Sequence, residues 1–474
     1  MISIQDLQLN NNWWLNKNYK IPEVKWPQRN LFHIIKKNLK HSLILNIIGL
    51  RRVGKSTILK QAIANLLLEN VKPENIFYFL LDNTRQPRTT EFLEEVLNLY
   101  FSEIQQQNFT LLKGKVYIFL DEIQYIDNWQ AILKKYYDLS NQKIKFIITG
   151  SQSILLKGKS KESLAGRIFD YYLPPLSFKE FFAINRKDGG VVGQGLPPFD
   201  LSDLTKTFAI SNVSAFDIVN KEKIISLSKE YIINGQFPEI RKLDSDENKA
   251  EYILESVLGK VLDDCSKIFK IEKSDEFKLV AYQLLNNVGS LFELKNIGSE
   301  IGLSKVTVEN YFEYLKEGFI FEVLYKKHKS LIEQGRISKK VYTPCINFVC
   351  ALNHYKKSHI TDIPEVFGLI IENLVFNVLK EKYVKEQDRD LSFWRKGGKE
   401  IDFIIDQKKK NVLVPIEVKF SKNITHQDLR VITNFVKDKN LLYGVVVTRD
   451  QLKKEKINGQ LLYFIPYYLI LLLV

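Results

Sequence analysis

The chain has little cysteine and little histidine, and each shortage removes a class of explanation. Its three cysteines, Cys265, Cys345 and Cys350, are odd in number and form no C-x-x-C pair. Neither a disulfide framework nor a thiolate zinc site is expected, and the pattern suits a reducing compartment. The six histidines are scattered and give no metal-ligand cluster. The N-terminus is rich in Asn, Trp and Gln and lacks the basic-then-apolar pattern of a secretory signal. The C-terminal apolar run, residues 461–474, is short and interrupted by Pro466, whereas a spanning helix needs about 20 residues. A final strand and short helix packed on a core are expected there, with no integral membrane segment and a cytoplasmic location.

Acid is the scarcer charge: 55 Asp and Glu face 69 Lys and Arg, a net charge of +14. Such an excess suits an anionic partner, with DNA ahead of an acidic membrane surface. A lysine-rich genome bias is the alternative. The 474 residues leave room for about three domains of ~150 residues.

What is present begins with Gly49-Leu50-Arg51-Arg52-Val53-Gly54-Lys55-Ser56-Thr57, which follows the strand-like run 43–48 and opens a helix-like run. It reads G-x-x-x-x-G-K-S-T, a loop that wraps nucleotide phosphates. Glycines let backbone N–H groups approach the anion, Lys55 reaches the β- and γ-phosphates, and the Ser56 hydroxyl serves as a Mg²⁺ ligand. The apolar run 116–120 then ends in Asp121-Glu122. Continuous apolarity marks a strand buried on both faces, and its C-terminal end is where parallel sheets hold ligands. Asp121 is the expected partner of Mg²⁺ and Glu122 the group that polarises the attacking water. The two motifs together thus predict a nucleotide hydrolase core that uses Mg²⁺.

Around these motifs strands at 43–48, 76–81, 116–120 and 145–149 alternate with helices at 56–69, 91–104 and 129–138, an α/β rhythm that predicts a doubly wound parallel sheet. Ser151, just past the strand 145–149, is placed beside the Asp121 strand, within reach of a γ-phosphate or attacking water; an ordinary turn is the alternative. Arg167 is a candidate arginine finger or sensor, against a plain surface arginine. A Gly- and Pro-rich segment, 186–200, reads as a linker.

Two further signals follow. Residues 294–301 and 305–317 read as helices joined by Gly302-Leu303-Ser304, then a strand-like run 319–324 and the basic stretch Tyr325-Lys326-Lys327-His328-Lys329, the order of a winged helix-turn-helix. The second helix carries Glu309, Glu313 and Glu317, which favours a spacer or interaction module as the alternative to DNA reading. Near the C-terminus, runs 401–405 and 412–419 look like two strands joined by the polar turn 406–411. Glu417 and Lys419 share one face of a strand. With the turn centred on 408–410, Asp402 falls opposite them, the D…E-x-K arrangement of metal-dependent nucleases. Asp402 and Glu417 would hold the metal and Lys419 orient water, with Glu372 as a further carboxylate. A salt-bridged, metal-free core is the alternative.

Taken together these residues resemble the AAA-type ATPases of bacteria and archaea whose C-terminal domain of unknown function combines a winged helix with a PD-(D/E)xK nuclease-like fold. The resemblance rests on the 49–57 loop, on Asp121-Glu122-Ile123-Gln124 and on Thr149-Gly150-Ser151. It extends to Ser163-Leu164-Ala165-Gly166-Arg167 with Leu176-Ser177-Phe178-Lys179-Glu180-Phe181, and to Trp394-Arg395, Glu400-Ile401-Asp402-Phe403 and Ile416-Glu417-Val418-Lys419. The chain departs from the family pattern at Gly235-Gln236-Phe237-Pro238-Glu239, where a second glycine is usual, and after Tyr342, where Thr343-Pro344 replaces an aspartate. The resemblance implies ATP as the nucleotide, with an ATPase domain over 1–183, a linker and small helical region over 184–250, a winged-helix region over 251–345 and a restriction-endonuclease-like α/β domain over 346–474. It leaves open a homo-oligomer and whether Arg167 serves its own subunit or a neighbour's.

Overall fold

The computed structural model describes residues 2–16, 18–82, 89–151, 164–185, 197, 199–207, 210–291, 294–327, 339–384, 390–408 and 411–474. Ser163, most of the 186–200 linker, His328 and Lys329 of the basic stretch, and the centre of the 406–411 turn lie outside the described residues. The chain divides into two compact units, Met1–Pro174 with Glu317–Phe319, and Pro175–Lys316 with Ile320–Val474.

In the first unit β1 (Ile44–Ile48), β2 (Ile76–Leu80), β3 (Val116–Asp121), β4 (Ile144–Gly150) and β5 (Ile168–Tyr172) form a sheet ordered β2-β3-β4-β1-β5. Every pairing in it is parallel. All residues of β1 and β4 are buried, as strands covered on both faces must be. The sequence pattern misses β5, whose half-exposed residues break the apolar run. Because the strands run the same way, the ends of β1, β3 and β4 come to one edge. Leu120 of β3 pairs with Ile148 of β4, and Ile48 of β1 with Gly150, so the 149–151 turn lies between the loop after β1 and the acids after β3. An unpredicted N-terminal segment closes the other flank: the buried Asn11 amide donates to Tyr78 O (2.8 Å) and accepts from Tyr78 N–H (2.7 Å), satisfying β2 where no further strand does.

The second unit opens with the helix Phe178–Ile184, started by a capping box in which Ser177 accepts from Glu180 N–H and Glu180 accepts from Ser177 N–H. The S-F-x-E signature is therefore a helix start. Helices Ile210–Asn234, Ser274–Asn286, Leu294–Ile301 and Lys305–Glu317 lead to the antiparallel pair β6 (Glu322–Tyr325) and β7 (Lys339–Tyr342). The two helices of the predicted helix-turn-helix have the expected bounds, and Ser304 Oγ caps the second by accepting from Thr307 N–H at 3.1 Å.

Then come β8 (Leu391–Lys396), β9 (Lys399–Gln407), β10 (Val412–Lys419), β11 (Gly444–Thr448), β12 (Lys453–Ile457) and β13 (Gln460–Pro466), in a mixed sheet ordered β12-β13-β11-β10-β9-β8. The helices Pro364–Tyr383, Arg430–Asp438 and Tyr467–Leu473 pack on it. The last of these is fully buried, which explains the apolar C-terminal run. Among the described residues no helix is long and apolar enough to cross a membrane.

The segments 235–239 and 342–344 touch each other. Gln236 Oε1 accepts from Asn347 N–H (2.9 Å), its Nε2 donates to Pro344 O (3.2 Å), and Asn347 Oδ1 accepts from Gln236 N–H (2.7 Å). Gln236 is 2% exposed, so losing its amide strands the Asn347 N–H away from water, while Pro344 O keeps Asn377 Nδ2 as a donor at 3.3 Å. Gln236→Ala is expected to lower the unfolding free energy by about 1–3 kcal/mol, read by urea titration; an unchanged midpoint would refute this role.

Candidate functional site

The loop between β1 and the helix Lys55–Leu68 owes its shape to two glycines. A Cβ on Gly49 would stand 2.3 Å from the Leu173 carbonyl oxygen, so no side chain fits. Gly54 has φ +101° at the helix N-cap, a left-handed conformation that favours glycine. Leu50 and Val53 bury their side chains in the core, and Arg29 Nη1 donates to Val53 O at 2.8 Å. Arg51 Nη2 donates to Tyr125 Oη at 2.6 Å. Arg52 also has positive φ, and Ser56 and Thr57 fall in the first helical turn.

At the centre is Lys55, 4% exposed. Its Nζ donates to Gly49 O (3.1 Å), Leu50 O (2.9 Å) and Ser151 Oγ (3.1 Å) and lies 3.7 Å from Glu122 Oε1. Burial lowers its pKa, while Glu122 and Asp121 oppose that shift. Asp121 is fully buried and accepts from Tyr78 Oη (2.8 Å), from Thr149 Oγ1 and from Ser56. Burial and the neighbouring Glu122 push its carboxyl up despite those bonds. Thr149 Oγ1 also accepts from Glu122 N–H at 2.9 Å, so one hydroxyl ties both acids to β4. Glu122, at φ +59°, accepts from Ser151 Oγ (2.7 Å) and Gln124 Nε2. Burial would raise its pKa, but Lys55 and these donors together hold it below the usual carboxylate value. It therefore stays ionised. The oxygen donors Ser56 and Asp121 suit a hard cation such as Mg²⁺.

Lys55, Ser56, Asp121, Glu122 and Ser151 are thus brought together. Arg167 is not. Its carbonyl accepts from Ile44 N–H at 2.8 Å, at the start of β1 and hence the opposite edge of the sheet. Its guanidinium binds Asp138 through Nε (2.8 Å) and Nη2 (3.2 Å). Of the alternatives left open for Arg167, this placement gives no contact with its own chain's phosphate loop, because parallel strands carry residues before β5 and residues after β1 to different ends. Tyr78 and the bridging role of Thr149 went unread, because nothing in a strand's own residues announces which neighbour its polar groups will meet.

A second cluster lies in the second unit. Ile416 of β10 pairs with Phe403 of β9, which sets Glu417 across from Asp402. Lys419 Nζ meets Glu417 Oε1 at 2.8 Å, and Asp402 Oδ2 accepts from Val418 N–H at 2.8 Å. Glu372 accepts from Tyr342 Oη (2.7 Å) and Lys340 Nζ (2.9 Å). Burial, then Asp402, pushes Glu417 up to about 8 and Glu372 up to about 7. The expected pairing of Asp402, Glu417 and Lys419 is present, yet among the described residues no group of three or more His, Cys, Asp or Glu is arranged to hold a metal. The unforeseen member is Lys340, remote in sequence. On the helix Lys305–Glu317, Lys305 pairs with Glu309 (3.5 Å) and Lys316 with Glu313 (2.7 Å). Lys327 of the basic stretch pairs with Asp406 at 2.8 Å.

These two sites can be set beside known proteins. Residues 41–182 match the family described as AAA domain, and residues 225–353 and 367–470 match domains of unknown function, DUF8612 and DUF4143. The chain thus carries an AAA-type P-loop ATPase domain, a class that binds and hydrolyses nucleotides, followed by a DUF4143 domain. It is 29% identical over 446 residues to an uncharacterized protein of Methanocaldococcus jannaschii, covering 92% of this chain and 86% of that one. With an uncharacterized Haemophilus influenzae protein it shares 24% over 432 residues, 89% and 93% of the two chains. Among solved structures it is similar to the Walker-type ATPase PABY2304 of Pyrococcus abyssi, with TM-score 0.41 and 16% identity over 69% of this chain and 97% of that one. The Aeropyrum pernix ORC1 protein in complex with DNA gives TM-score 0.29 and 14% identity over 74% and 98%.

The raised Glu417 carboxyl has a consequence for stability. In the unfolded chain it ionises near its ordinary value of 4.5, whereas in the fold it keeps its proton until about 8. The unfolded state therefore gains from ionisation as pH rises between those values, and the fold loses stability across that window. The thermal midpoint of the second unit is expected to fall from pH 5 to pH 8 more steeply in the native chain than in Glu417→Gln; equal slopes would remove Glu417 as the cause.

Proposed function

We propose that the chain binds ATP with Mg²⁺ at the 49–57 loop and hydrolyses it, and that hydrolysis is coupled to a DNA-associated winged-helix and nuclease-like module in the second unit. The observation that carries the reading is the buried hydrogen-bonded cluster of Lys55, Ser56, Asp121, Glu122 and Ser151 at the edge of the parallel sheet. In this reading Lys55 leaves the Gly49 and Leu50 carbonyls for the β- and γ-phosphates, since a phosphate offers its ammonium a stronger partner than a neutral carbonyl. Ser56 and Asp121 would hold Mg²⁺, which would neutralise charge on the phosphates. As Lys55 turns to the phosphates, Glu122, oriented by Ser151 and Gln124, is free to accept a hydrogen bond from the attacking water. Thr149 and Tyr78 keep the Asp121 carboxylate in place.

DNA association is supported by the net charge of +14 and by the order of elements from Ser274–Asn286 through β7, in which Leu291 forms a further bridge to Lys340. That order is the one a winged helix takes. A second reading, a nucleotide-dependent switch whose nuclease-like fold binds nucleic acid or protein without cutting, is favoured by the lysine among the C-terminal carboxylates.

Lys55→Ala should abolish Mg²⁺-dependent ATP hydrolysis, and Glu122→Gln should keep ATP binding while lowering turnover about 10²–10⁴-fold. Duplex DNA should stimulate the native activity. Purified chain without affinity for ATP in Mg²⁺ would end the proposal, and hydrolysis indifferent to DNA would end its DNA-associated part.

A further inference from the structure

The hairpin β6–β7 delivers a positive charge into the carboxylate cluster. Lys340, in β7, is 4% exposed. Its Nζ lies 2.7 Å from Glu400 Oε1, 2.9 Å from Glu372 Oε1 and 3.6 Å from Asp402 Oδ1. An ammonium held among three carboxylates takes the place that a hard divalent cation would need, because both seek the same oxygens. Burial and the three carboxylates hold the ammonium in place, and the strand that carries it is fastened. Lys340 forms a backbone bridge with Leu291, Lys326 bridges Phe393, and Lys327 N–H donates to Phe393 O at 2.7 Å. Lys327 Nζ reaches Asp406 at 2.8 Å, and Tyr342, two residues on from Lys340, bonds Glu372.

The cluster nonetheless carries one acid more than its resident donors satisfy. Asp402 Oδ2 is taken by Val418 N–H and Glu417 Oε1 by Lys419, while Arg395 stands 3.5 Å from Glu400 Oε2. Among the described residues Glu417 Oε2 finds no hydrogen-bond partner, on a residue only 6% exposed. Buried and unpaired carboxylate oxygens are costly and rare, and this one belongs to the acid facing Asp402.

We propose that Lys340 is the built-in counter-cation of this cluster and keeps divalent ions out, so that the nuclease-like fold is closed to metal unless the β6–β7 hairpin withdraws its lysine. With Lys340 gone, Glu372, Glu400 and Asp402 would lose the ammonium they share, and a divalent cation would supply the missing positive charge. The proposal deepens the non-cutting reading of the C-terminal domain and does not depend on ATP hydrolysis.

The test is Mn²⁺ binding to the full, nucleotide-free chain, followed by the electron paramagnetic resonance of free Mn²⁺. The native chain and Asp402→Asn should give the same titration. Lys340→Met should bind one Mn²⁺ at least tenfold more tightly than the native chain, and Lys340→Met with Asp402→Asn should lose that gain. Lys340→Arg, which keeps the charge, should gain nothing. Native binding that Asp402→Asn abolishes would overturn the proposal. So would a Lys340→Met chain with native circular dichroism and no added affinity, or a gain in Lys340→Arg. If Lys340→Met does not fold, the comparison of the native chain with Asp402→Asn still decides.

Discussion

Carboxylates taken out of water must find a cation or give up their charge, and this chain meets that demand twice with a lysine. Isolated buried ions cost several kcal/mol each, so neither the Asp121–Glu122 pair nor the Glu372–Glu400–Asp402 group would survive burial without one. Lys55 answers the first and Lys340 the second. The difference lies in what else each lysine holds. Lys55 is bound to two loop carbonyls and a serine hydroxyl, neutral partners that an anionic ligand outcompetes. Lys340 is bound to carboxylates and rooted in a paired strand, charged partners that a neutral group does not replace.

The first cluster depends on strand direction as much as on charge. Parallel pairing of β1, β4 and β3 carries the loop, the 149–151 turn and the acids to one edge. Thr149 sits where the three meet, donating to Asp121 and accepting from Glu122 N–H. The same directionality removes Arg167, which precedes β5 and so lies at the far edge with Asp138.

In the second unit, register performs the corresponding work. A turn between β9 and β10 sets Asp402 against Glu417, and a shift by one residue would turn these acids away from each other. Gln236 and Pro344, more than a hundred residues apart, meet in one buried amide contact.

Much of this was legible before any coordinates. The 49–57 loop, the acids after residue 120 and the helices at 294–301 and 305–317 are local patterns, and local patterns follow from backbone geometry and the spacing of apolar residues. Half-exposed β5 was not legible, because Asp170 breaks its short apolar run, and neither was the Asn11 contact that finishes β2. By itself the sequence determined the strand–loop–helix that shapes an anion site, the acidic strand end and the E-x-K strand, each written within a few consecutive residues. Only the tertiary structure decided that Tyr78 and Thr149 hold Asp121, that Arg167 stands apart, and that Lys340 enters the carboxylate cluster. These facts depend on which distant strands pair and in which direction, and no short stretch of chain encodes a partner that lies dozens of residues away.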